Sequence, residues 1–262
     1  MTIIANIAKQ KLAAGELAIG FGLRSMRTVD AGRVAAACGF DWLFIDMEHG
    51  SFDVDLACQI SVAALDSGVT PIPRVPGHQH FHASRVLDGG AMGVVVPHVS
   101  TVAEAKAAVD HCKFPPIGHR SMVGGLAQLG YGGGGSVANQ AKIMNDNTLV
   151  VVMLETPEAI ENADAIAAVP GIDVLLIGTN DLSAEMGIPG EFGHERVTAA
   201  YEATISAARN NGKYAGMGGV YDQELSTRYI AMGAQFLLGG SDMSFMMGAA
   251  KARSAFLKSI KR

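Results

Sequence analysis

Two acidic side chains stand at the ends of two consecutive apolar segments, and their type and spacing suit a divalent metal ion. Glu155 ends the run that begins at Leu149, and Asp181 closely follows the run 174–177. Consecutive parallel strands lie about 4.8 Å apart, so carboxylates at the same ends of two such strands can share one small cation. The alternative is a surface glutamate and a helix-capping aspartate. We favour the metal because both acids fall on the ligand-binding side of a parallel sheet.

Carboxylate oxygens suit small divalent cations, and we expect Mg²⁺, Mn²⁺ or Co²⁺ as the cofactor. Two protein ligands would leave most coordination positions to water or substrate. A 2-oxo acid can chelate such an ion through its carboxylate and its ketone, and the ion then acts as a Lewis acid. These residues therefore predict metal-assisted chemistry on a 2-oxo acid.

Other predicted strand ends carry further polar side chains, and two of these suit the chemistry of an enolate. Arg74 offers a planar set of donors to a carboxylate or to a developing enolate oxygen; a salt bridge at the rim is the alternative. His49, beside Glu48, can move protons near neutral pH, although a lone histidine is more often structural. The full polar set at strand ends is Asp46, Glu48, His49, Arg74, His98, Glu155 and Asp181.

The positions of the lysines argue against imine chemistry. Schiff-base aldolases need a lysine inside their barrel. Lys213 instead comes directly before the predicted strand 214–218, at the end of the sheet opposite to the acids. The remaining lysines precede the first strand or lie on predicted helices and loops. No GxSxG motif occurs, and no cysteine follows a strand. A metal-stabilised enolate is the chemistry that remains.

Side chains at strand ends can converge only if the strands are parallel, and strands alternate with helices along the chain. The predicted strands are 17–23, 41–48, 70–75, 93–99, 149–155, 174–177, 214–218 and 235–238. The predicted helices are 29–38, 53–66, 80–88, 101–111, one from 156 to about 170, 223–232 and 242–260. Eight repeats in about 250 residues are typical of an α/β fold of the (β/α)8 TIM barrel type, whereas an open doubly wound sheet rarely needs eight. The connection 113–148 is predicted to be a loop, either over the barrel mouth or on the surface.

Composition limits the classes of function. The 262 residues are 49% hydrophobic, and we find no linker that would divide them, so we expect one domain over residues 1–262. The net charge of −5 and the lack of a basic cluster argue against nucleic-acid and membrane partners. No signal peptide or apolar run of about 18 residues is recognisable. Cys38, Cys58 and Cys112 lack metal-type spacing, so we expect core thiols in a reduced, cytoplasmic protein.

Six ordered segments resemble the HpcH/HpaI family of class II, metal-dependent pyruvate aldolases, which act on 4-hydroxy-2-oxo acids. The segments are FIDMEHG (44–50), PRV (73–75), VPHVSTVAEA (96–105), FPPIGHRS (114–121), LETPEAIEN (154–162) and IGTNDLSAEMG (177–187). The resemblance covers nearly the whole chain, and the ordered set of segments is more specific than any one motif. The resemblance implies a barrel like that of the phosphoenolpyruvate/pyruvate superfamily and reversible cleavage of the substrate to pyruvate and an aldehyde.

The resemblance also implies roles for residues already singled out. It implies that Glu155 and Asp181 bind the metal. It further implies that Arg74 holds pyruvate and its enolate, and that His49 is the base. The substrate carboxylate would be bound by the backbone around Thr179, Asn180 and Asp181.

The resemblance marks Asp88 as the partner that orients His49. The predicted strands put Asp88 on the N-terminal face and His49 at a C-terminal strand end, roughly 15–20 Å apart, since a strand rises about 3.3 Å per residue. Either Asp88 is an ordinary helix-end residue, or it reaches the His49 of a neighbouring subunit. We therefore expect a homo-oligomer, a trimer or hexamer. The last predicted helix, 242–260, offers apolar surface for such a contact, although packing on its own barrel is the default expectation.

Two positions depart from the pattern of the family. Met153 stands where members often have glutamine, two residues before the metal glutamate, so we expect a less polar pocket. Arg24, just after the first strand, is unexpected. We predict that Arg24 faces the mouth and contacts the distal part of the substrate; a solvated rim arginine is the alternative.

Two other functions stay open at this point. A decarboxylase or lyase could act on oxaloacetate-like acids through the same enolate. A non-catalytic barrel could bind small acids, although binding alone does not need a base beside a metal. Release of pyruvate with and without EDTA separates the enzyme from the binder.

Overall fold

Eight short apolar segments form the strands that surround the centre of the molecule. In the computed structural model, which describes residues 3–261, they are β1 (Ala18–Leu23), β2 (Trp42–Asp46), β3 (Thr70–Arg74), β4 (Gly93–Val96), β5 (Leu149–Leu154), β6 (Val174–Gly178), β7 (Tyr214–Gly218) and β8 (Ala234–Ser241). Each strand pairs in parallel with the next along the chain, and β8 returns to pair with β1. The sheet is therefore closed, and the predicted (β/α)8 barrel is confirmed.

Helices cover the outside of this barrel. Those described are α1 (Ile7–Ala13), α2 (Ala31–Ala37), α3 (Val54–Leu65), α4 (His80–Asp88), α5 (Val102–Cys112), α6 (Val137–Asn147), α7 (Pro157–Glu161), α8 (Ala163–Ala167), α9 (Thr179–Glu185), α10 (Glu195–Asn210), α11 (Gln223–Met232) and α12 (Asp242–Ser259). A 3₁₀ turn spans Ala127–Leu129. Several helices begin where a side-chain oxygen accepts a hydrogen bond from the first turn, as Thr101 and Thr156 do before α5 and α7.

Large side chains fill the inside of the barrel. Trp42 of β2 stacks on Phe236 of β8, with ring centroids 4.1 Å apart. Gly20 of β1 makes room for the indole, because a Cβ at that position would stand 2.3 Å from it. Ala8 and Leu12 of α1 belong to the same buried cluster. The N-terminal end of the barrel is therefore closed by α1, and a ligand must enter from the C-terminal ends of the strands.

Several helices differ from the sequence-based predictions, and no prediction was made for α1 or α9. The predicted loop 113–148 contains α6, which begins where Ser136 accepts a hydrogen bond from the Asn139 N–H. The single helix predicted after β5 is divided at Asn162 into α7 and α8. After β6 the structure has α10, for which no prediction was made. The other predicted elements are confirmed, with ends that shift by a few residues.

The last helix, α12, packs on its own barrel only near its N-terminal end, where Phe245 lies against Phe21 and Phe40, so the default expectation is confirmed for that end alone. Asp242, at its first position, is its only buried residue. Large apolar side chains on α12 and just after it are 38–56% exposed: Met243, Phe245, Met246, Met247, Phe256, Leu257 and Ile260. An 18-residue helix of this kind is an unpartnered apolar surface in the single chain.

Two smaller expectations can be compared with the structure. Only Cys112 is a buried thiol; Cys38 is exposed and Cys58 is half-buried, so the prediction of three core thiols is wrong. Within residues 3–261, no helix combines the length and the apolar character that crossing a membrane requires.

Candidate active site

A cavity of about 480 Å³ opens at the C-terminal ends of the strands, as the sequence analysis predicted for the site. It brings together seven of the eight predicted site residues from most of the strand ends: Arg24, His49, Arg74, Glu155, Thr179, Asn180 and Asp181. Met153 and Tyr221 also line it. Asp88 does not.

Glu155 is a deeply buried acid of the cavity. It directly follows β5 and is only 2% exposed. Its Oε2 accepts a hydrogen bond of 2.8 Å from the His98 backbone N–H. Gly178, at the end of β6, leaves room for the other oxygen, because a Cβ there would stand 2.6 Å from Oε1. The strand ends thus form a cradle for one carboxylate.

This environment disfavours the charged form of Glu155. Burial is the main cause that raises the pKa of Glu155 to about 7. The charges of Asp181 and Glu48 also raise this pKa, whereas the backbone N–H and the ring of His98 lower it. The cavity therefore holds a buried carboxylate whose charged form is disfavoured, with the acids Asp181 and Glu48 close enough to affect it.

Asp181 lies in the first turn of α9, which begins at Thr179. The Thr179 hydroxyl donates a hydrogen bond of 2.7 Å to the Gly218 carbonyl and lies 2.8 Å from the Tyr201 hydroxyl. Thr179 is fully buried, so only its backbone is left for a substrate, as the sequence analysis expected. Asn180 and Asp181 are exposed at the cavity.

The donor set fits a divalent cation. Glu155 and Asp181 line one cavity, both supply oxygen, and a cation beside Glu155 would favour its charged form, which burial disfavours. Among residues 3–261, no three or more His, Cys, Asp and Glu side chains gather as a ready-made metal site. An ion held here would rest on two protein carboxylates and on water or substrate.

Arg74 is held by two acids from β2 and the loop that follows it. Its Nε and Nη2 donate to the Asp46 carboxylate at 2.8–3.1 Å, in a bidentate pair. Its Nη1 lies 2.8 Å from Glu48 Oε2, a contact close enough for an ion pair but without hydrogen-bond alignment. The remaining partner of Nη1 is the weakly accepting sulfur of Met153 at 3.9 Å. The salt bridge that the sequence analysis gave as the alternative for Arg74 is present, and Nη1 still has donor capacity towards the cavity.

His49 stands half-exposed in the turn after β2. Its backbone N–H donates to Asp46 Oδ1 at 3.1 Å, which fixes the turn. Its Nε2 is 3.9 Å from Glu48 Oε2. The imidazole is thus accessible to a substrate in the cavity and has an acid nearby.

Arg24 reaches the rim of the same cavity from the loop after β1. The Asp242 carboxylate accepts hydrogen bonds from the backbone N–H groups of Arg24, Ser25 and Met26 and so fixes this loop. The Arg24 side chain is 54% exposed, and its Nε is 3.9 Å from Asp46 Oδ2. Arg74 already occupies Asp46, so Arg24 has spare donors at the mouth.

His98 has a central position for which the sequence analysis assigned no role. Its ring Nε2 is 2.8 Å from Glu48 Oε1, and its Nδ1 is 3.1 Å from Glu155 Oε2. The only sequence signal was a histidine shortly after a strand. Basic and acidic side chains consequently alternate across the mouth, in what we call the mouth charge network: Arg24, Asp46, Arg74, Glu48, His98 and Glu155.

Asp88 is the one predicted site residue that does not line the cavity. It ends α4 and forms an ion pair of 2.6 Å with Arg120 Nη2, whose side chain is fully buried. Its carboxylate is partly exposed and borders a separate surface cavity of about 550 Å³, together with Val29, Val62 and Tyr131.

Comparisons with known proteins agree with this geometry. The family model described as HpcH/HpaI aldolase/citrate lyase matches residues 28–249. A 4-hydroxy-4-methyl-2-oxoglutarate aldolase of Hapsidospora irregularis is 41% identical over 97% of this chain and 96% of its own length. A 2-keto-3-deoxy-L-rhamnonate aldolase of Klebsiella pneumoniae is 36% identical over 98% of this chain and 95% of its own length. The crystal structure of an HpcH/HpaI aldolase from Desulfitobacterium hafniense superposes with a TM-score of 0.92 at 28% identity, covering 98% of both chains.

We predict that Glu155 makes the metal-free protein less stable as the pH rises. The folded-state pKa of about 7 lies above the ordinary value of 4.5. Between these values the folded protein keeps a proton that the unfolded chain has released, so the free energy of unfolding falls as the pH rises through this window. With EDTA present, Glu155→Gln should therefore gain stability relative to wild type from about pH 5 to about pH 8.

Urea unfolding midpoints at the two pH values measure this difference. The control is Glu158→Gln, which changes an exposed acid of α7. A constant difference between Glu155→Gln and wild type at both pH values would contradict the prediction.

Proposed function

The chain belongs to the HpcH/HpaI aldolase/citrate lyase family, and from this premise we propose that a metal-dependent site at the barrel mouth performs its reaction. The protein is a carbon–carbon lyase of the aldolase type and cleaves or forms 4-hydroxy-2-oxo acids. The products of cleavage are pyruvate and an aldehyde or other carbonyl compound. The observation that carries the proposed site is the buried carboxylate of Glu155, whose pKa is raised to about 7. It shares one cavity with Asp181, Arg74 and His49.

Each group of the cavity has a separate task in this proposal. Glu155 and Asp181 hold a divalent ion, Mg²⁺, Mn²⁺ or Co²⁺, which would polarise the 2-oxo group as a Lewis acid. Arg74 Nη1 turns from the Met153 sulfur to the oxygen on which negative charge develops. The exposed backbone around Asn180 binds the substrate carboxylate.

His49 moves the proton in this scheme. In cleavage, its imidazole accepts the proton of the 4-hydroxyl group as the bond between C3 and C4 breaks. The electron pair of that bond passes to the enolate of pyruvate, whose oxygen Arg74 stabilises. Protonation of C3 then yields pyruvate, and the 4-hydroxyl carbon becomes the carbonyl of the second product. In synthesis the same steps run in reverse.

We further propose that the second product carries its own carboxylate, bound by Arg24. The two relatives differ at this point: a substituted oxoglutarate has an acid at each end, whereas a deoxyrhamnonate has one acid and a neutral sugar tail. Arg24 has spare donors at the rim and sits on a loop fixed by Asp242. Tyr221 lines the same cavity, close enough for the Arg24 charge to lower its pKa against the larger effect of burial, which raises it. A cation and a hydroxyl at the distal end suit a dicarboxylate.

We also propose that the protein is a homo-oligomer, a trimer or hexamer, in which Asp88 orients the His49 of a neighbouring subunit. Asp88 does not line the cavity of its own chain, and its carboxylate is partly exposed. The cavity beside it is bordered by the exposed side chains of Val29 and Tyr131. The exposed apolar residues of α12 supply further surface for association between subunits.

Metal dependence is the first test of the proposed reaction. EDTA should abolish release of pyruvate from 4-hydroxy-4-methyl-2-oxoglutarate, and added Mn²⁺ or Mg²⁺ should restore it. Asp181→Asn should lower kcat/KM by about 100-fold or more at low metal concentration, because one of two protein ligands is weakened. Full activity of the EDTA-treated enzyme, once it is verified to be metal-free, would refute the assignment.

The role of Arg24 is tested by comparing two substrates. Arg24→Gln should lower kcat/KM for 4-hydroxy-4-methyl-2-oxoglutarate by about 10–100-fold, the loss expected for one charge-assisted hydrogen bond. The same variant should change kcat/KM for 2-keto-3-deoxy-L-rhamnonate by less than about threefold. Arg33→Gln removes an exposed arginine of α2 and serves as the charge control. Equal losses on both substrates would leave Arg24 with only a structural role.

The shared site is tested by mixing two inactive variants, His49→Ala and Asp88→Asn. After joint denaturation and reassembly, a site that takes His49 from one subunit and Asp88 from its neighbour is intact in about one quarter of random pairings. Activity should therefore recover to about a quarter of wild type. Reassembly without recovery, or a monomer by light scattering, would exclude the shared site.

A further inference from the structure

His98 joins two acids that come from different strand ends. Its Nε2 faces Glu48 of the loop after β2, and its Nδ1 faces Glu155 after β5. Both ring nitrogens lie within 3.1 Å of a carboxylate oxygen. The ring therefore stands between Glu48 and Glu155 and keeps the two carboxylates apart.

The backbone of His98 is held in a conformation that turns the ring towards Glu155. Its φ is 54°, a left-handed value that few residues other than glycine adopt. The residues on both sides are tied down: the Pro97 carbonyl lies 2.6 Å from His78 Nε2, and the Val99 N–H donates to the Met153 carbonyl. As a result, the backbone N–H and the ring of one residue both point at the same oxygen of Glu155.

Because Oε2 of Glu155 is occupied in this way, the carboxylate has a defined orientation. Its Oε1 is left beside Gly178, at the wall of the cavity. Groups that hold the carboxylate ligands of a metal orient them and commonly change metal affinity by about 10–100-fold when removed.

We infer that His98 is a positioning residue that fixes Glu155 so that Oε1 is presented to the metal of the proposed site. The inference rests on the proposed function, since it concerns the same metal. His98 itself contacts neither the metal nor the substrate in this scheme. It acts through Glu155, and it also links Glu155 to Glu48 and hence to Arg74.

The test uses His98→Gly and His98→Asn, because glycine and asparagine both accept a left-handed φ and keep the backbone N–H to Glu155. Binding of Mn²⁺ is measured directly, by electron paramagnetic resonance of the free ion. We expect the Kd for Mn²⁺ to rise by about 10–100-fold in His98→Gly, and less in His98→Asn. At saturating Mn²⁺, kcat should stay within about threefold of wild type, since no reacting group has been removed.

His119→Asn is the matched control, because it removes an exposed histidine that contacts only Asp110. It should leave the Kd for Mn²⁺ unchanged. Unchanged or tighter Mn²⁺ binding in folded His98→Gly would overturn this inference but leave the proposed metal site standing. Tighter binding would mean that the His98 ring competes with the metal for Glu155. If wild-type protein bound no Mn²⁺, Mg²⁺ or Co²⁺, the proposed metal site and this inference would both fall.

Discussion

The bidentate ion pair between Arg74 and Asp46 is the contact on which the geometry of the barrel mouth depends. The two residues lie opposite each other in the β2–β3 register, and both are buried. A buried charge without its partner is strongly destabilising, so each residue fixes the other. The other charges follow outward from this pair: Arg24 approaches Asp46 from the rim, and Glu48 connects Arg74 through His98 to Glu155. Strand pairing therefore sets the central ion pair, and the segments that follow the strands add the other charges around it.

Much of this arrangement could be predicted from sequence, because it depends on position along parallel strands. An acid that ends an apolar run must come to the C-terminal edge of the sheet, and this places Glu155 and Asp181 in one cavity. Arg74 was recognised in the same way. The role of His98 could not be predicted, because it depends on a left-handed backbone angle that no residue pattern around VPHVS signals. The bond of Asp46 to Arg74 depends on the register of β2 and β3, which becomes known only once the sheet is closed.

The outer layer was harder to predict than the strands, for physical reasons. The segment 137–147 is a helix whose mixed composition gives a weak apolar stripe, so its sequence does not clearly indicate a helix. Asn162 interrupts the segment after β5, and a run of small residues gives no sign of the break. For α12 the pattern of apolar residues indicated only that its surface must be covered by a partner. A pattern of this kind cannot say whether the partner belongs to the same chain.

The closure of the barrel floor by α1 has a kinetic consequence. With Ala8, Leu12 and the stacked Trp42 and Phe236 filling the other end, every molecule must enter and leave through one opening. The proposed pyruvate half of the site, at Glu155, is buried, whereas Arg24 stands half-exposed at the rim. In a cavity with a single opening, the molecule bound near the rim blocks the exit of the molecule bound deeper inside. In the proposed reaction, turnover would then be ordered, with pyruvate the first reactant to bind in synthesis and the last product to leave in cleavage.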